Sequence, residues 1–274
     1  MSGFSAAWLA LREPVDAAAR AGALAEPLVL ALRATRSPGV PLAVVDLGAG
    51  TGANLRYAGP RLGGPQDWLL IERDPALLAA ARSRLGSRQS VVPDCRIRFQ
   101  ALDLATQLGQ LPLPTGALLT ASALLDLVSE AWLRELVASA ARAAAPVWFA
   151  LTYDGRSTCR PADPDDDAIR ELVNLHQLTD KGFGAALGPM AADVAERLLE
   201  QHGYRVARAA SDWHLGPEHR ALQDALIRGW AEAALQIAPQ RADRVRNWLV
   251  RRLAHLAAGR SALRVGHADL VGLR

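Results

Sequence analysis

Apolar residues along the chain fall into short blocks separated by longer stretches of helical period. Leu42, Val44 and Val45 open the first block, PLAVVDL, and glycines follow at once. A block of this kind reads as a strand buried on both faces of a parallel sheet. DWLLIE at 67–72 is a second apolar strand, and RIRFQALD at 96–103, GALLTAS at 116–122 and PVWFALTY at 146–153 read as the third, fourth and fifth. Between them lie helical patterns. ANLRYAGPRL follows the glycines. PALLAAARSRL has Asp74 as its cap and Pro75 in its first turn, and SEAWLRELVASAARAA starts from Ser129. Strands that alternate with helices from 42 to 153 call for a parallel sheet with right-handed crossovers. Such sheets bind ligands outside the carboxyl ends of their strands.

The flanks read differently. Residues 1–40 form helices split at Gly22 and closed by SPG at 37–39. After 153, RSTCRPADPDDD is polar and reads as irregular, and a helix is expected from about Pro164 with Asp163 as cap and acids in its first turn. GPMAADVAERLLEQHG is a helix closed by Gly203, YRVARAASDWHL at 204–215 reads as one strand, and SALRVGHADLVGL closes the chain as the last. Residues 218–258 read as two amphipathic helices split by Pro239. Leu222, Leu226, Trp230, Ala233 and Ile237 share one face; Val245, Trp248, Leu249, Arg252 and Leu256 share the other. The chain is expected to be a single domain over 1–274, with a helical segment at 1–40 and a helical insertion at 218–258. Trp230 and Trp248 are large enough to anchor an interface, so the insertion reads as a cap over the site or a homodimer contact, or as a pair packed on itself and the sheet.

Composition narrows the function. Half of the 274 residues are hydrophobic, enough for a sizeable core. No run of 18 apolar residues predicts a membrane-spanning helix. The stretch MSGFSAAWLALREPVD has an early acid and no basic n-region, so it does not read as a signal peptide and a cytoplasmic location is expected. Two cysteines, Cys95 and Cys159, suit neither a metal site nor a disulfide framework. The net charge of +3 is modest for a nucleic-acid enzyme. Seven arginines against Asp243 in 239–264 leave RNA as an alternative partner, although arginines on an amphipathic helix are usually a solvated face. Lys181 is the only lysine.

The strongest local signal is Asp46-Leu47-Gly48-Ala49-Gly50-Thr51-Gly52. Its glycines let the backbone turn sharply and approach a ligand, and the loop feeds a helix N-terminus. Gly48-x-Gly50-x-x-Ala53 also fits the loose dinucleotide pattern. Asp46 argues against that reading, because an acid beside the turn repels a pyrophosphate and suits a ligand carrying an ammonium group. Glu72 lies 20 residues past Gly52. A carboxylate there can accept two hydrogen bonds from a vicinal diol, which suits either cofactor.

VVDLGAGTGANL resembles motif I of the class I, Rossmann-like methyltransferases that use S-adenosylmethionine. The resemblance covers about 42–211 and the last strand. It implies a doubly wound, seven-stranded, mostly parallel sheet ending in an antiparallel hairpin, with the segments at 204–215 and 261–273 as strands six and seven. It further implies that Asp46 and the loop of Gly48, Ala49, Gly50 and Gly52 hold the methionine part of the cofactor. Glu72, with Arg73 beside it, would meet the ribose, and Asp103-Leu104 the adenine. TASALLDL at 120–127, which contains Ser122 and Asp126, matches the segment that passes under the sulfonium. The Asn/Asp-Pro-Pro-Tyr/Phe motif of exocyclic-amine methyltransferases does not follow strand four, and no cysteine suits attack on a pyrimidine. The acceptor is therefore expected to be a small molecule, with an RNA methyltransferase or a non-catalytic cofactor-binding partner protein as the alternatives.

Methyl transfer needs an aligned nucleophile, exclusion of water and sometimes a base. The expected acceptor wall follows strand five: Tyr153 and Asp154, then NLHQLTDKGFGAALGP at 174–189 with His176, Gln177, Lys181 and Phe183. His176 reads either as a core histidine or as a base or orienting group, and Lys181 either as a surface partner of Asp180 or as a substrate clamp. Asp126 is a second candidate base. Trp213 reads as packing or as an acceptor platform.

Overall fold

The computed structural model describes residues 5–37, 39–86, 92 and 94–274; Pro38 of the SPG turn lies outside them. Five parallel strands build the first half of the sheet: β1 (Leu42–Leu47), β2 (Gln66–Glu72), β3 (Cys95–Ala101), β4 (Leu118–Ser122) and β5 (Val147–Arg160). β8 (Ala262–Leu273) runs antiparallel between β5 and β6 (Arg205–Ala210). The order is β3-β2-β1-β4-β5-β8-β6. Strand order reverses on the two sides of β1, so a crevice opens at the carboxyl ends of β1 and β4.

Helices cover both faces. α6 (Glu130–Arg142) buries Leu133, Leu136, Val137 and Ala140, one face at helical spacing, against Phe149, Leu119 and Val45 of the sheet. α8 (Ala191–Gln201) joins that layer through Ala195, Leu198 and Leu199. On the other face, α2 (Gly22–Thr35) and α3 (Ala53–Leu62) pack Leu28, Leu32 and Leu55 against Val44, Trp68 and Trp148. α4 (Pro75–Gly86) and the one-turn α5 (Leu104–Gln107) complete the β2–β3–β4 crossovers.

Two expectations need correction. The stretch 204–215 is two strands, which makes eight among the described residues. It breaks at Ser211 and Asp212 because Asp212 is turned inward: its carboxylate accepts from His267 N at 3.1 Å and from Arg264 Nε at 2.8 Å. β7 (Trp213–Leu215) then resumes on β8. Residues 154–160 are strand, not irregular loop, because the twelve-residue β8 offers them a partner as far as Arg160. Only one face of this extension is covered, so it alternates half-buried Ser157 and Cys159 with exposed Arg156, Thr158 and Arg160, which hides it in a polar sequence. A bulge at Leu151, with φ of +53°, sits opposite Asp269, whose Oδ1 accepts from Leu151 N at 2.8 Å.

The β5–β7–β8 ribbon carries a second core. α1 (Ala6–Ala19), α7 (Asp166–Gln177), α9 (Arg220–Ile237) and α10 (Ala242–Ala257) pack Val15, Ile169, Leu172, Ile227, Val245 and Trp248 on it. α7 begins at Asp166, later than expected, with Asp165 at its cap position. Its acids do more than complement the helix dipole: Arg251 meets Asp163 and Asp165, Arg244 meets Asp165, and Arg252 meets Asp166. Among the described residues, no helix is long and apolar enough to cross a membrane.

Candidate functional site

A cavity of about 250 Å³ lies at the carboxyl ends of β1, β2 and β4. Asp46, Gly48, Ala49, Gly50, Glu72, Arg73, Asp103, Leu104 and Ser122 line it; Gly52 shapes the loop from behind. The glycine loop is a built cradle. Gly48, Gly50 and Gly52 have φ of +60°, +54° and +78°, which L side chains rarely adopt. Glu72 fixes the loop: Oε2 accepts from Gly50 N and Oε1 from Asp74 N, each at 3.0 Å. Asp103 lines the cavity and also caps α5, accepting from Ala105 N at 3.1 Å.

Asp46 is 1% exposed. Its Oδ1 accepts from Asn54 Nδ2 at 2.7 Å, while Oδ2 has no protein partner. Burial raises its pKa to about 7, against the Asn54 hydrogen bond and Arg20, which lower it; Glu72 adds to the rise. A buried acceptor oxygen left free beside a glycine cradle fits a ligand with a compact cationic donor.

The cavity has a wall that sequence reasoning missed. Leu9, Arg12 and Asp16 of α1 line it. A Cβ on Gly50 would come within 3.0 Å of Leu9 Cδ1, so the helix lies directly on the loop. α1 is fastened by Glu13 to Arg56 Nε at 2.6 Å and by Asp16 to Trp213 Nε1 at 3.0 Å. The helical insertion is not the cap: none of the lining residues comes from 218–258.

Beyond the cradle the lining becomes apolar, with Leu9, Leu124, Leu127 and Phe183, and includes Lys181, whose hydrogen-bond partners are neutral groups. Lys181 Nζ donates to His176 O at 2.9 Å and Thr179 Oγ1 at 2.8 Å, and lies 3.3 Å from His176 Nδ1. Asp180 does not pair with it; its carboxylate accepts from Gly182 N and Gly184 N, tying the glycine segment into a tight turn. Phe183 packs edge-on against Trp132, whose indole donates to Leu104 O at 2.7 Å.

Asp126 lies behind the wall, in the turn between Leu124 and Leu127, buried, with Oδ1 unpartnered. Burial raises its pKa to about 6, and Arg12 and Lys181 among others oppose the rise. The remaining candidates stand away from the cavity lining. His176 is half-buried and meets Gln236 Oε1 of α9 through Nε2 at 3.0 Å. Burial, then Lys181, lowers its pKa. Tyr153 donates to Asn174 Oδ1, Asp154 pairs with Arg156, Gln177 closes α7, and Trp213 is buried under Arg12. Among the described residues, no group of three or more His, Cys, Asp or Glu side chains is placed to hold a metal ion.

No protein-family model matches the chain, and no curated protein matches it in sequence. Solved structures are similar to it. An S-adenosylmethionine-dependent methyltransferase from Thiobacillus denitrificans, in complex with S-adenosylhomocysteine, is 14% identical over 99% of each chain, with a TM-score of 0.45. Another from Geobacter sulfurreducens, with the same ligand, is 18% identical over 93% of this chain and 92% of that one, with a TM-score of 0.45. A cyclopropane synthase from Mycobacterium tuberculosis is 13% identical over 89% of this chain and 82% of that one, with a TM-score of 0.44.

Proposed function

We propose that this chain is a methyltransferase that uses S-adenosylmethionine and acts on a small-molecule acceptor. The observation that carries the reading is the cradle itself: a buried acid with a free oxygen, three left-handed glycines and a strand-end glutamate open into one cavity. Asp46 would meet the ammonium of the amino-acid part, Glu72 the ribose diol, and Asp103-Leu104 the base. When bound, the cofactor supplies a methyl group on a positively charged sulfur, which an acceptor nucleophile displaces. The chain's own part is to position that nucleophile and keep water out, with α1, Leu127 and Phe183 as walls.

Calorimetry on the purified protein tests the cofactor. S-adenosylhomocysteine is expected to bind and nicotinamide dinucleotides are not. Measurable dinucleotide affinity with none for S-adenosylhomocysteine would sink the proposal.

Lys181 is the group proposed to meet the acceptor, through an anionic or carbonyl oxygen, with His176 holding its ammonium in place. Lys181→Ala should leave S-adenosylhomocysteine affinity within about threefold, a change of roughly 0.6 kcal/mol. It should lower turnover of the acceptor by at least about tenfold, or ~1.4 kcal/mol of transition-state stabilisation. Turnover at the parental rate would move the acceptor site towards Asp126 and Trp213. Five of the seven arginines behind the RNA alternative, Arg244, Arg246, Arg251, Arg252 and Arg264, are paired to carboxylates of this chain, which favours the small-molecule reading.

A further inference from the structure

A buried polar chain runs from the antiparallel half of the sheet to the cofactor cradle. Asp269 of β8 is fully buried, and its Oδ2 accepts from Arg20 Nε at 3.1 Å and from Ala21 N at 3.1 Å. Arg20, 7% exposed, has its guanidinium 4.5 Å from the Tyr57 ring centroid and 4.7 Å from that of Trp148. Its NH1 donates to Asn54 Oδ1 at 2.9 Å. Asn54 Nδ2 donates in turn to Asp46 Oδ1 at 2.7 Å and to Thr120 Oγ1 at 3.0 Å. The Thr120 hydroxyl hydrogen is already committed to Trp148 O at 2.7 Å.

The order of donors and acceptors leaves this chain one sense. A guanidinium has only donors, so the amide oxygen of Asn54 must face Arg20. Both amide hydrogens are then sent to Asp46 and Thr120. Turned the other way, the amide would set N–H against guanidinium N–H and its oxygen against a carboxylate. With Oδ1 engaged, Asp46, which lines the cavity, keeps Oδ2 as its one free acceptor. We infer that Arg20 is a positioning residue of the cofactor site, which acts through the Asn54 amide to hold Asp46 ready for the ammonium of S-adenosylmethionine or S-adenosylhomocysteine. This rests on the proposed cofactor.

The charges around Asp46 give the role a pH signature. Arg20 from the C-terminal cap of α1 and Asn54 from α3 favour its ionised form, and Glu72 from β2 disfavours it; Thr120 from β4 is neutral and meets Asn54. Burial places its titration at about 7. Above that pH the carboxylate is ionised and attracts an ammonium; as pH falls through it, the acid is protonated and the attraction is lost. Without Arg20 the loss should come at higher pH.

The test compares two probes by calorimetry between pH 6 and 8. S-adenosylhomocysteine carries the amino-acid part, and 5′-methylthioadenosine lacks it. In the parent protein, the first should tighten as pH rises through about 7 and the second should stay level. In Arg20→Met, S-adenosylhomocysteine should bind about tenfold more weakly at pH 7, with its pH midpoint raised. Methylthioadenosine should change less than about threefold in the same variant. Arg20→Lys keeps a charge but not the fork, and should raise the dissociation constant of the first probe alone; it carries the test should Arg20→Met fail to fold. Equal weakening of both probes, or an unmoved midpoint, would show that Arg20 only supports the fold. A parent protein that binds neither probe would overturn the cofactor proposal and this inference with it.

Discussion

Arg252→Ala should unfold about 6–20 °C below the parent protein in a thermal melt, which corresponds to ~3–5 kcal/mol in a chain of this size. The side chain is fully buried. Its NH1 donates to Pro161 O at 2.7 Å and its NH2 to Asp166 Oδ2 at 2.8 Å. Asp166 also accepts from Trp248 Nε1 at 2.9 Å, so the arginine and the indole of α10 grip the start of α7 together. Truncation would leave a half-buried carboxylate without its cation, a carbonyl without its donor, and a void where a fully buried side chain stood. Each of these costs free energy that water cannot restore. The exposed pair of Arg244 with Asp165 is the contrast: Arg244→Ala removes an ion pair of similar length and should cost under about 1 kcal/mol. S-adenosylhomocysteine affinity of folded Arg252→Ala should stay within about threefold of the parent, because the site is remote from the cradle. A melting point within about 2 °C of the parent would show that the second core does not depend on this contact.

That second core marks the limit of what the sequence discloses. The parallel half is legible because its strands, the edge strand β3 excepted, are apolar on both faces, and DLGAGTG declares itself through glycines that only a tight turn needs. Glu72, Asp103 and Ser122 are legible as strand-end positions once the alternation is read. The ribbon is not. Its extension of β5 is covered on one face only, so Ser157 and Cys159 carry no apolar pattern, and its partner lies about a hundred residues further on in β8. The contribution of α1 is invisible for a related reason. Arg12 and Asp16 look like an ordinary pair one helical turn apart, and what makes them a cavity wall is Trp213, nearly two hundred residues away. His176 shows the converse. Its spacing from Ile169, Leu172 and Val173 points to the apolar face, yet it lies at the far end of α7, where it meets Gln236 and braces Lys181 instead of joining the core. The Asp269–Arg20–Asn54–Asp46 relay joins β8, the end of α1, α3 and β1, and no single segment carries it.

Glu72→Ala should weaken S-adenosylhomocysteine binding by roughly 10- to 100-fold, or ~1–3 kcal/mol, measured by calorimetry near neutral pH. Two losses add. The carboxylate is the proposed acceptor for the ribose hydroxyls, which would be left without a partner. It is also the clamp on the glycine loop, since Gly50 N and Asp74 N both donate to it. Gln at this position is not a conservative change. Its amide has one acceptor oxygen, so satisfying Gly50 N sets its NH2 against Asp74 N, and the reverse choice frees the loop. Glu72→Gln should therefore recover little of the affinity that Glu72→Ala loses. Asp103→Ala should cost less, under about 1–2 kcal/mol, because its hydrogen bond within the protein is a helix cap and its carboxylate is half-exposed. The order Glu72→Gln and Glu72→Ala well below Asp103→Ala is the expected result. A Glu72→Ala protein that binds S-adenosylhomocysteine within about threefold of the parent would remove Glu72 from the cofactor site.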